Sequence, residues 1–295
     1  MCERCETCSN LNDNMMNLIA DSGSTKTSWV LFSEDSSPLF IHTQGINPIH
    51  QDEETVKGIL QKELMPQLSG RTIDEIFFYG SGVRPTEEAL MQRLLQEVTG
   101  VSRVEAKSDL LGAARALCGH DEGLACILGT GSNSCLFDGH RIVMNTSPLG
   151  YILGDEGSGA VLGIKLLNAL YKGMLPDTVL RDFEEEQGVT LADIINRVYR
   201  QPLANRYLAS LSPFVHSHLH LSSISELVVN NFQEFIRRNV VPYGRRDLPL
   251  SAVGSVAFYY REQLQMAVER EGFVLGNIEQ SPLQRLMSYH SLTRS

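Results

Sequence analysis

Two short apolar runs flank a polar turn near the start of the chain. The runs Asn17–Ala20 and Ser28–Phe32 are rich in branched and aromatic residues, a composition that favours β-strands. The segment between them, Asp21 to Thr27, holds one acid, hydroxyl side chains, a glycine and a lysine. We therefore predict a β-hairpin with a polar tip.

The same plan recurs in Ala125–Phe137, where glycines and hydroxyl residues again separate two apolar runs. When Gly131 is laid on Gly23, Gly129 falls where Asp21 stands, so the acid is not repeated. We interpret the two stretches as one supersecondary unit used twice, each opening a domain.

The hydrophobic pattern of the rest of the chain predicts strands that alternate with helices. The pattern predicts strands over 39–43, 73–79, 102–107, 141–145, 248–253 and 273–278, and helices over 52–65, 85–98, 109–117, 160–172, 254–271 and 281–291. The order βββαβαβα in the first half is the signature of a ribonuclease-H-like domain. We expect a disordered leader over 1–15, domains over 16–115 and 116–280, a helical insertion over about 176–240, and a closing helix in 281–295 for which the first domain is a candidate packing partner.

Composition narrows the class of protein. The 295 residues are 42% hydrophobic with a mean hydropathy of -0.11, as in soluble globular proteins, and no run approaches the ~18 apolar residues of a membrane span. A net charge of -10 argues against nucleic acid or an anionic membrane as partner. The start of the chain lacks a secretory pattern, so we expect a cytoplasmic protein with reduced cysteines.

The leader contains Cys2, Cys5 and Cys8 at a spacing that starts some iron–sulfur motifs. The fourth cysteine and the following proline of such motifs are missing, so a disordered leader is favoured over a metal site. His216 and His220 have the i,i+4 spacing of zinc pairs but no HExxH context, and a solvated helix face is favoured.

The first turn suits an anion. Gly23 allows a positive φ or a close backbone approach, so that peptide N–H groups converge on one phosphate, and Lys26 adds charge. Asp21 would repel that phosphate unless a divalent cation lay between them. The turn therefore predicts a metal–nucleotide site, with a plain polar surface hairpin as the alternative.

Three further polar positions lie where strands end or helices begin. Asn47 can donate to and accept from sugar hydroxyls, but it also makes an Asn-Pro turn with Pro48. Asp109 could take the proton of an attacking hydroxyl, but it could equally be an N-cap. Asp155 and Glu156 precede a predicted helix, where acids also suit the macrodipole.

The turns DSGSTKT and LGTGSN, the segment GYILGDEGSG and a late VGSV together resemble the sugar kinases of the actin/hexokinase/heat-shock-chaperone ATPase superfamily. The best resemblance is to the N-acetylglucosamine kinase group, which shares a broader family with the ATPase activators of benzoyl-CoA reductase and 2-hydroxyacyl-CoA dehydratases. It covers the chain from about Met16 to the end. It implies an α/β fold with two ribonuclease-H-like (actin-like ATPase) domains flanking a cleft and a helical insertion in the second.

The resemblance also implies roles for individual residues. Asp109, in an Asp-x-x-Gly pattern, would be the catalytic base, and Asp21 would place Mg²⁺. ATP would be held by Ser22, Gly23, Ser24, Thr25, Lys26, Gly129, Thr130, Gly131, Ser132, Gly254 and Ser255. The sugar would be held by Asn47, Gly82, Leu149, Gly150 and Asp155. Glu156 is expected to cap or to pair.

Three functions stay open at this point. The first is ATP-dependent phosphorylation of an amino sugar, foremost the 6-hydroxyl of N-acetylglucosamine. The second is an ATPase activator with an iron–sulfur cluster, and the third is a degenerate nucleotide-binding regulator. Vertebrate members of the kinase group carry Gly-Trp-Gly at the sugar where this chain has Pro148-Leu149-Gly150, so glucosamine or a cell-wall-derived amino sugar stays open too. Relatives form dimers, which makes a homodimer one of the states left open.

Overall fold

The computed structural model describes residues 15–23, 25–33 and 36–292. Ser24 and the three leader cysteines lie outside the described residues, so the predictions made for them stay predictions. The chain divides into two compact units. The first unit runs to Ala116 and also takes in the chain from Pro282, and the second unit is Leu117–Ser281.

The first unit is built on a five-stranded mixed sheet. Its strands are β1 (Asn17–Ser22), β2 (Lys26–Phe32), β3 (Leu39–Gln44), β4 (Glu75–Gly80) and β5 (Arg103–Ser108), in the spatial order β3-β2-β1-β4-β5. The β1–β2 hairpin and the β2–β3 pair are antiparallel, whereas β1, β4 and β5 run parallel. The three parallel strands therefore end at one edge of the sheet.

Helices cover both faces of this sheet. They are α1 (Glu53–Ile59), α2 (Met65–Leu68), α3 (Pro85–Thr99), α4 (Asp109–Cys118) and α14 (Leu283–Leu292), with a π-helical turn at Leu60–Leu64 between α1 and α2. Alternate strand residues face two apolar clusters, because side chains of a strand point to opposite faces in turn. Trp29 and Phe78 lie in one cluster, and Ile19 and Tyr79 lie in the other, together with Leu286 of α14.

The second unit repeats this plan. Its strands are β6 (Glu122–Leu128), β7 (Ser132–Asp138), β8 (Ile142–Met144), β9 (Pro249–Val253) and β10 (Val274–Glu279), in the spatial order β10-β9-β6-β7-β8. The β6–β7 pair is antiparallel and β6, β9 and β10 run parallel. The repeated hairpin of the sequence is thus the centre of each sheet.

The helices of the second unit include the insertion between β8 and β9. They are α5 (Gly150–Leu153), α6 (Gly159–Tyr171), α7 (Asp177–Gln187), α8 (Leu191–Tyr199), α9 (Ala204–Ala209), α10 (Ser212–Ser217), α11 (Ser222–Phe235), α12 (Ser255–Tyr259) and α13 (Arg261–Arg270). A π-helical turn, Ile236–Val240, and a 3₁₀ turn, Val241–Tyr243, follow α11. Among the described residues, every helix is too short or too polar to cross a bilayer.

Two local predictions are wrong. The helix predicted over 254–271 breaks at Tyr260, whose buried ring donates from its hydroxyl to the Ser212 carbonyl at 2.6 Å. His216 and His220 do not share a helix face, because α10 ends at Ser217. His218, between them, is buried and stacks on Phe214 with ring centroids 4.1 Å apart.

Candidate active site

Two carboxylates lie at the carboxyl edge of the first sheet. Ser22, Gly80 and Ser108, the last residues of β1, β4 and β5, are in register across the parallel strands. Asp21 precedes the first of these residues and Asp109 follows the last. Ligands of open α/β sheets bind outside the carboxyl ends of the strands, so this edge is where a site is expected.

The electrostatics of the two carboxylates are coupled. Burial raises the pKa of Asp21 to about 7; the charge of Asp109 adds to the rise, and Lys26 acts against it. Burial likewise raises the pKa of Asp109 to about 6, against the N–H of Leu110, which donates to Oδ1 at 2.8 Å. Like-charged carboxylates close enough to couple hold a proton or attract a cation.

Ser108, rather than Asp109, accepts the capping bond of α4. Its Oγ accepts the N–H of Leu111 at 3.2 Å, which leaves Asp109 as the first residue of the helix. One turn later, a Cβ at Gly112 would lie 2.7 Å from the ring of Tyr79, so the helix contacts β4 directly there. The Asp-x-x-Gly pattern therefore has a packing reason, and the capping alternative for Asp109 loses its main support.

Ser22 corrects a prediction. Its hydroxyl is fully buried, donates to the Ile46 carbonyl at 2.9 Å and accepts the Ile46 N–H at 3.0 Å. It also lies 2.6 Å from the Thr27 hydroxyl. The side chain of Ser22 thus ties the hairpin to the segment that leads to Asn47, instead of facing a phosphate.

The tip of the first hairpin is exposed. Gly23, Thr25 and Lys26 all face solvent, and the Gly23 N–H donates to the Lys26 carbonyl at 3.0 Å. Gly23 does not have a positive φ, and a Cβ there would have no neighbour nearer than 3.7 Å. The positive φ allowed for this glycine is therefore not used.

Asn47 and Gly82 are adjacent. Gly82 has a φ of +80°, and a Cβ at this position would lie 2.2 Å from Asn47 Oδ1, so only glycine fits beside the amide. The same Oδ1 accepts the N–H of Ile49 at 3.0 Å, which makes the predicted Asn-Pro turn. The Ser81 N–H donates to the Ser22 carbonyl at 2.8 Å and joins this loop to the end of β1.

The second hairpin turn is docked on a helix. The N–H groups of Gly159 and Ala160 donate to the carbonyls of Gly129 and Thr130 at 2.8 and 3.2 Å. Ser132 Oγ donates to the Glu156 carbonyl at 2.7 Å. The turn therefore has a fixed position relative to the start of α6.

Asp155 lies against this turn. Its backbone has a φ of +54°, which is uncommon outside glycine, and a Cβ at Gly131 would lie 3.0 Å from Asp155 Oδ2. Burial raises the pKa of Asp155, the Ser132 N–H lowers it, and the charge of Glu156 raises it. Ser158 caps α6 by accepting the Val161 N–H at 3.1 Å, so Asp155 is not the cap.

Gly254 and Ser255 lie beside the same turn. Gly254 has a φ of 125°, and a Cβ there would lie 2.3 Å from the Leu128 carbonyl oxygen and 3.3 Å from the Gly129 nitrogen. Its N–H donates to the Glu279 carbonyl at 2.9 Å. Ser255 is exposed at the start of α12.

Leu149, next to Gly150, lines a cavity of about 230 Å³ in the second unit. Gly150 has a φ of +73° and begins α5, and Leu149 lines the cavity together with Asp155 and Glu156. Glu156 pairs, as predicted: Oε1 accepts from Arg238 at 3.0 Å. Oε2 accepts from Asn239 at 3.3 Å.

Sequence reasoning missed Arg238 and Asn239. Both belong to the π-helical turn Ile236–Val240, and Asn239 also accepts from the Thr146 hydroxyl at 2.9 Å. The sequence around them reads as ordinary helix, so it carries no signal for this position.

The ATPase-activator alternative needs cysteines free to bind a cluster. Cys126 and Cys135 are buried, and burial raises the pKa of both thiols. Over the described ranges, no group of three or more His, Cys, Asp or Glu side chains could hold a metal ion. Neither of these two thiols is exposed for binding a cluster.

The chain is similar to several known proteins. No family model matches the chain. A solved structure from Porphyromonas gingivalis, a proposed N-acetylglucosamine kinase, is 47% identical with a TM-score of 0.92, covering 95% of this chain and 100% of that chain. The chain belongs to the N-acetylglucosamine kinase family.

Two more distant relatives are also similar to the chain. The N-acetylmuramic acid/N-acetylglucosamine kinase of Clostridium acetobutylicum is 24% identical over 273 residues, which are 88% of this chain and 85% of the relative. A proposed N-acetylglucosamine kinase of Chromobacterium violaceum is 18% identical with a TM-score of 0.73, covers 94% of this chain and 99% of that chain, and shows the fold alone. The predicted family resemblance and α/β fold are confirmed.

Proposed function

We propose that the protein transfers the γ-phosphoryl group of ATP to an amino sugar, with the 6-hydroxyl of N-acetylglucosamine as the acceptor. The observation that carries the proposal is the coupled carboxylate pair Asp21 and Asp109 at the carboxyl edge of the first sheet, in a member of this kinase family. A phosphoryl-transfer enzyme needs both a group that receives the hydroxyl proton and a group that directs a cation to the phosphates.

Asp109 would be the base. A pKa of about 6 leaves its carboxylate ionised at neutral pH, yet basic enough to share the proton of a sugar hydroxyl as the phosphoryl group arrives. Leu110 fixes one carboxylate oxygen through its N–H, and we assign the other oxygen to the sugar hydroxyl. Because Ser108 accepts the capping bond of α4, Asp109 is not needed as the cap.

Asp21 would place Mg²⁺. The residues present fit this ion, because magnesium in phosphoryl-transfer sites takes one or two carboxylates and completes its shell with water and phosphate oxygens. Burial beside Asp109 makes an ionised Asp21 costly without a cation. When bound, the ion would neutralise charge on the transferred phosphates.

The two hairpin turns would bind the nucleotide. We assign Gly23, Thr25 and Lys26 of the first turn to phosphate through N–H groups and charge, and we extend the prediction to Ser24. In the second unit we assign the same task to Gly129–Ser132, and we assign the nucleoside to Gly254 and Ser255. Ser22 is kept only as the residue that holds the hairpin to the Asn47 segment.

The sugar-binding assignments are made for each unit separately. In the first unit the Nδ2 group of Asn47 can donate to a hydroxyl while Oδ1 keeps its turn bond, and Gly82 leaves room beside it. In the second unit Asp155 can accept from a sugar hydroxyl and Leu149 offers an apolar contact in the same cavity. Gly150, the residue after Leu149, keeps its assignment to the sugar. An ATP-dependent sugar kinase acts where ATP is abundant, so we place the protein in the cytoplasm.

A screen for ADP release over hexoses, hexosamines and N-acetylhexosamines tests the proposal. We expect ATP- and Mg²⁺-dependent release with N-acetylhexosamines, and phosphorus NMR of the product should show a phosphate ester at carbon 6. Release that does not depend on any sugar would contradict the proposal and favour a nucleotide-driven regulator.

A further inference from the structure

Tyr79 contacts the helix that begins with Asp109. It is the last residue but one of β4, and its side chain is buried. Ile19 and Tyr79 belong to the same apolar cluster, and Asp21 lies two residues after Ile19, so Asp21 and Tyr79 share one face of the sheet. On this face a Cβ at Gly112 of α4 would lie 2.7 Å from the ring of Tyr79. The helix that carries Asp109 is therefore packed on the strand next to the one that carries Asp21.

The hydroxyl of Tyr79 makes a second contact with the same helix. Nη1 of Arg115 donates to the phenolic oxygen at 2.7 Å. Arg115 lies three residues after Gly112, so the ring and the hydroxyl of Tyr79 contact neighbouring turns on one side of α4. Arg115 also pairs with Glu105 of β5, and its side chain is largely buried. One buried polar network thus joins α4 to β4 and β5.

The proton of the Tyr79 hydroxyl is directed to the C-terminal helix. Burial raises the pKa of Tyr79 above its ordinary value, against the charge of Arg115, so the phenol keeps its proton. Because a guanidinium can only donate, the phenolic proton is available for Nε2 of His290 on α14, 2.9 Å away. The His290 ring stacks on Phe77 with ring centroids 3.7 Å apart. The hydroxyl therefore has a partner on α4 and another on α14.

We propose that Tyr79 is a positioning residue for Asp109, acting through the contacts that its ring and hydroxyl make with α4. The proposal rests on the proposed function, in which Asp109 is the base. Asp109 is the first residue of α4, and Gly112 and Arg115 follow it by one and two turns. A helix held at these two points keeps its first residue at a fixed place relative to Asp21. A displacement of about 1 Å at a catalytic group can lower a rate by about 10²-fold.

Tyr79→Phe isolates the hydroxyl, because the ring that contacts Gly112 stays. With saturating ATP and N-acetylglucosamine, kcat per folded molecule should fall about ten- to hundredfold, because α4 is held less firmly. KM for ATP should stay within about twofold of wild type, because the change acts on the base and not on nucleotide binding. A wild-type kcat in this variant would overturn the proposal.

Tyr260→Phe is the matched control. Tyr260 is likewise buried, and its hydroxyl donates to the Ser212 carbonyl at 2.6 Å, but it lies in the second unit. Both variants should unfold at a lower urea concentration than the wild type, because each loses a buried hydrogen bond. Tyr260→Phe should nevertheless keep the wild-type kcat per folded molecule. An equal loss of kcat in the two variants would show that Tyr79 contributes only stability, and would overturn the proposal.

Arg115 provides a second test, because it shares the hydrogen bond. Arg115→Met removes the guanidinium and should lower kcat, whereas Arg115→Lys keeps a donor and should lose less. The double variant Tyr79→Phe/Arg115→Met should have a kcat close to that of the weaker single variant, because the same bond cannot be lost twice. Losses that multiply would show that the two side chains act independently, and would overturn the proposal.

Hydrogen exchange separates this proposal from the proposed function. A wild-type protein without sugar-dependent ADP release would overturn the kinase assignment but not the contact between Tyr79 and α4. Amide protons of α4 should exchange faster in Tyr79→Phe than in Tyr260→Phe, whether or not the protein is active. Equal exchange of α4 in the two variants would overturn the positioning role of Tyr79.

Discussion

The two hairpin turns have a similar sequence pattern, but the carboxylate that lies beside each turn comes from a different part of the chain. In the first unit the acid belongs to the hairpin itself, because Asp21 is part of β1. In the second unit Gly129 stands at the matching position, and Asp155 reaches the turn from a separate loop and lies against Gly131. A similar local pattern can therefore place an acid beside a turn from within the repeat or from outside it.

The turns also differ in how they are held. The first is exposed at its tip, at Gly23, Thr25 and Lys26, and it is held by the buried Ser22 hydroxyl and by the Gly45 N–H, which donates to the Thr25 carbonyl at 3.1 Å. The second is fixed from several sides, by the start of α6 and by Gly254 packed on the Leu128 carbonyl. We therefore expect the second turn to be the more sensitive of the two to an added side chain.

The largest expected effect concerns the acid pair of the first unit. Asp109→Asn should lower kcat by roughly 10²- to 10⁴-fold, because an amide cannot accept the sugar proton. ATP binding, measured by calorimetry, should persist. Asp155→Asn is the matched change in the second unit, and it should act mainly on KM for the sugar. Near-normal turnover of Asp109→Asn would remove the base assignment.

The rigidity of the second turn can be tested by adding one methyl group. Gly254→Ala should lower the free energy of unfolding by about 2 to 4 kcal/mol, because the Cβ meets the Leu128 carbonyl and the φ of 125° is strained. Gly23→Ala is the control in the first turn, where a Cβ has room, and its free energy of unfolding should change by less than about 0.5 kcal/mol. Equal losses measured in urea would contradict the difference between the turns.

The anchorage of the first turn can be tested at Ser22. Ser22→Ala removes both bonds to Ile46 and leaves buried backbone groups unpaired, so we expect a loss of about 1 to 3 kcal/mol in unfolding free energy. The same variant should retain nucleotide affinity per folded molecule. A loss of affinity without a loss of stability would restore Ser22 as a phosphate ligand.

The electrostatic strain of the acid pair should appear as a pH-dependent stability. A folded-state pKa of about 7 for Asp21 lies above its unfolded value, so its contribution to stability is greatest below about pH 4 and is lost as the pH rises toward 7. Asp21→Asn should therefore raise Tm relative to wild type at pH 8 and not at pH 4, in buffers without divalent cations. A Tm difference that does not depend on pH would contradict the raised pKa of Asp21.

Sequence reasoning reached the fold because the hairpin is local and repeated: Asp21, Gly131 and the flanking strands follow from alternation and turn chemistry. It also predicted that Asp109 lies where a strand ends and a helix begins, as the structure has it. It could not predict that the Ser22 hydroxyl is buried against Ile46, because these residues are distant in the sequence. It also could not choose between the adjacent Ser108 and Asp109 as the cap of α4, because both side chains can accept such a bond. Sequence reasoning missed Arg238 because a π-helical turn has the composition of an ordinary helix.

The pH dependence of kcat/KM for N-acetylglucosamine tests the central claim most directly. With saturating ATP and Mg²⁺, the constant should rise with pH and level off above an apparent pKa near 6, the value that burial gives Asp109. The residual activity of Asp109→Asn should lack that rise. A profile that is flat from pH 5 to 8 in the wild type, or a rise that survives in Asp109→Asn, would contradict the assignment of Asp109 as the base.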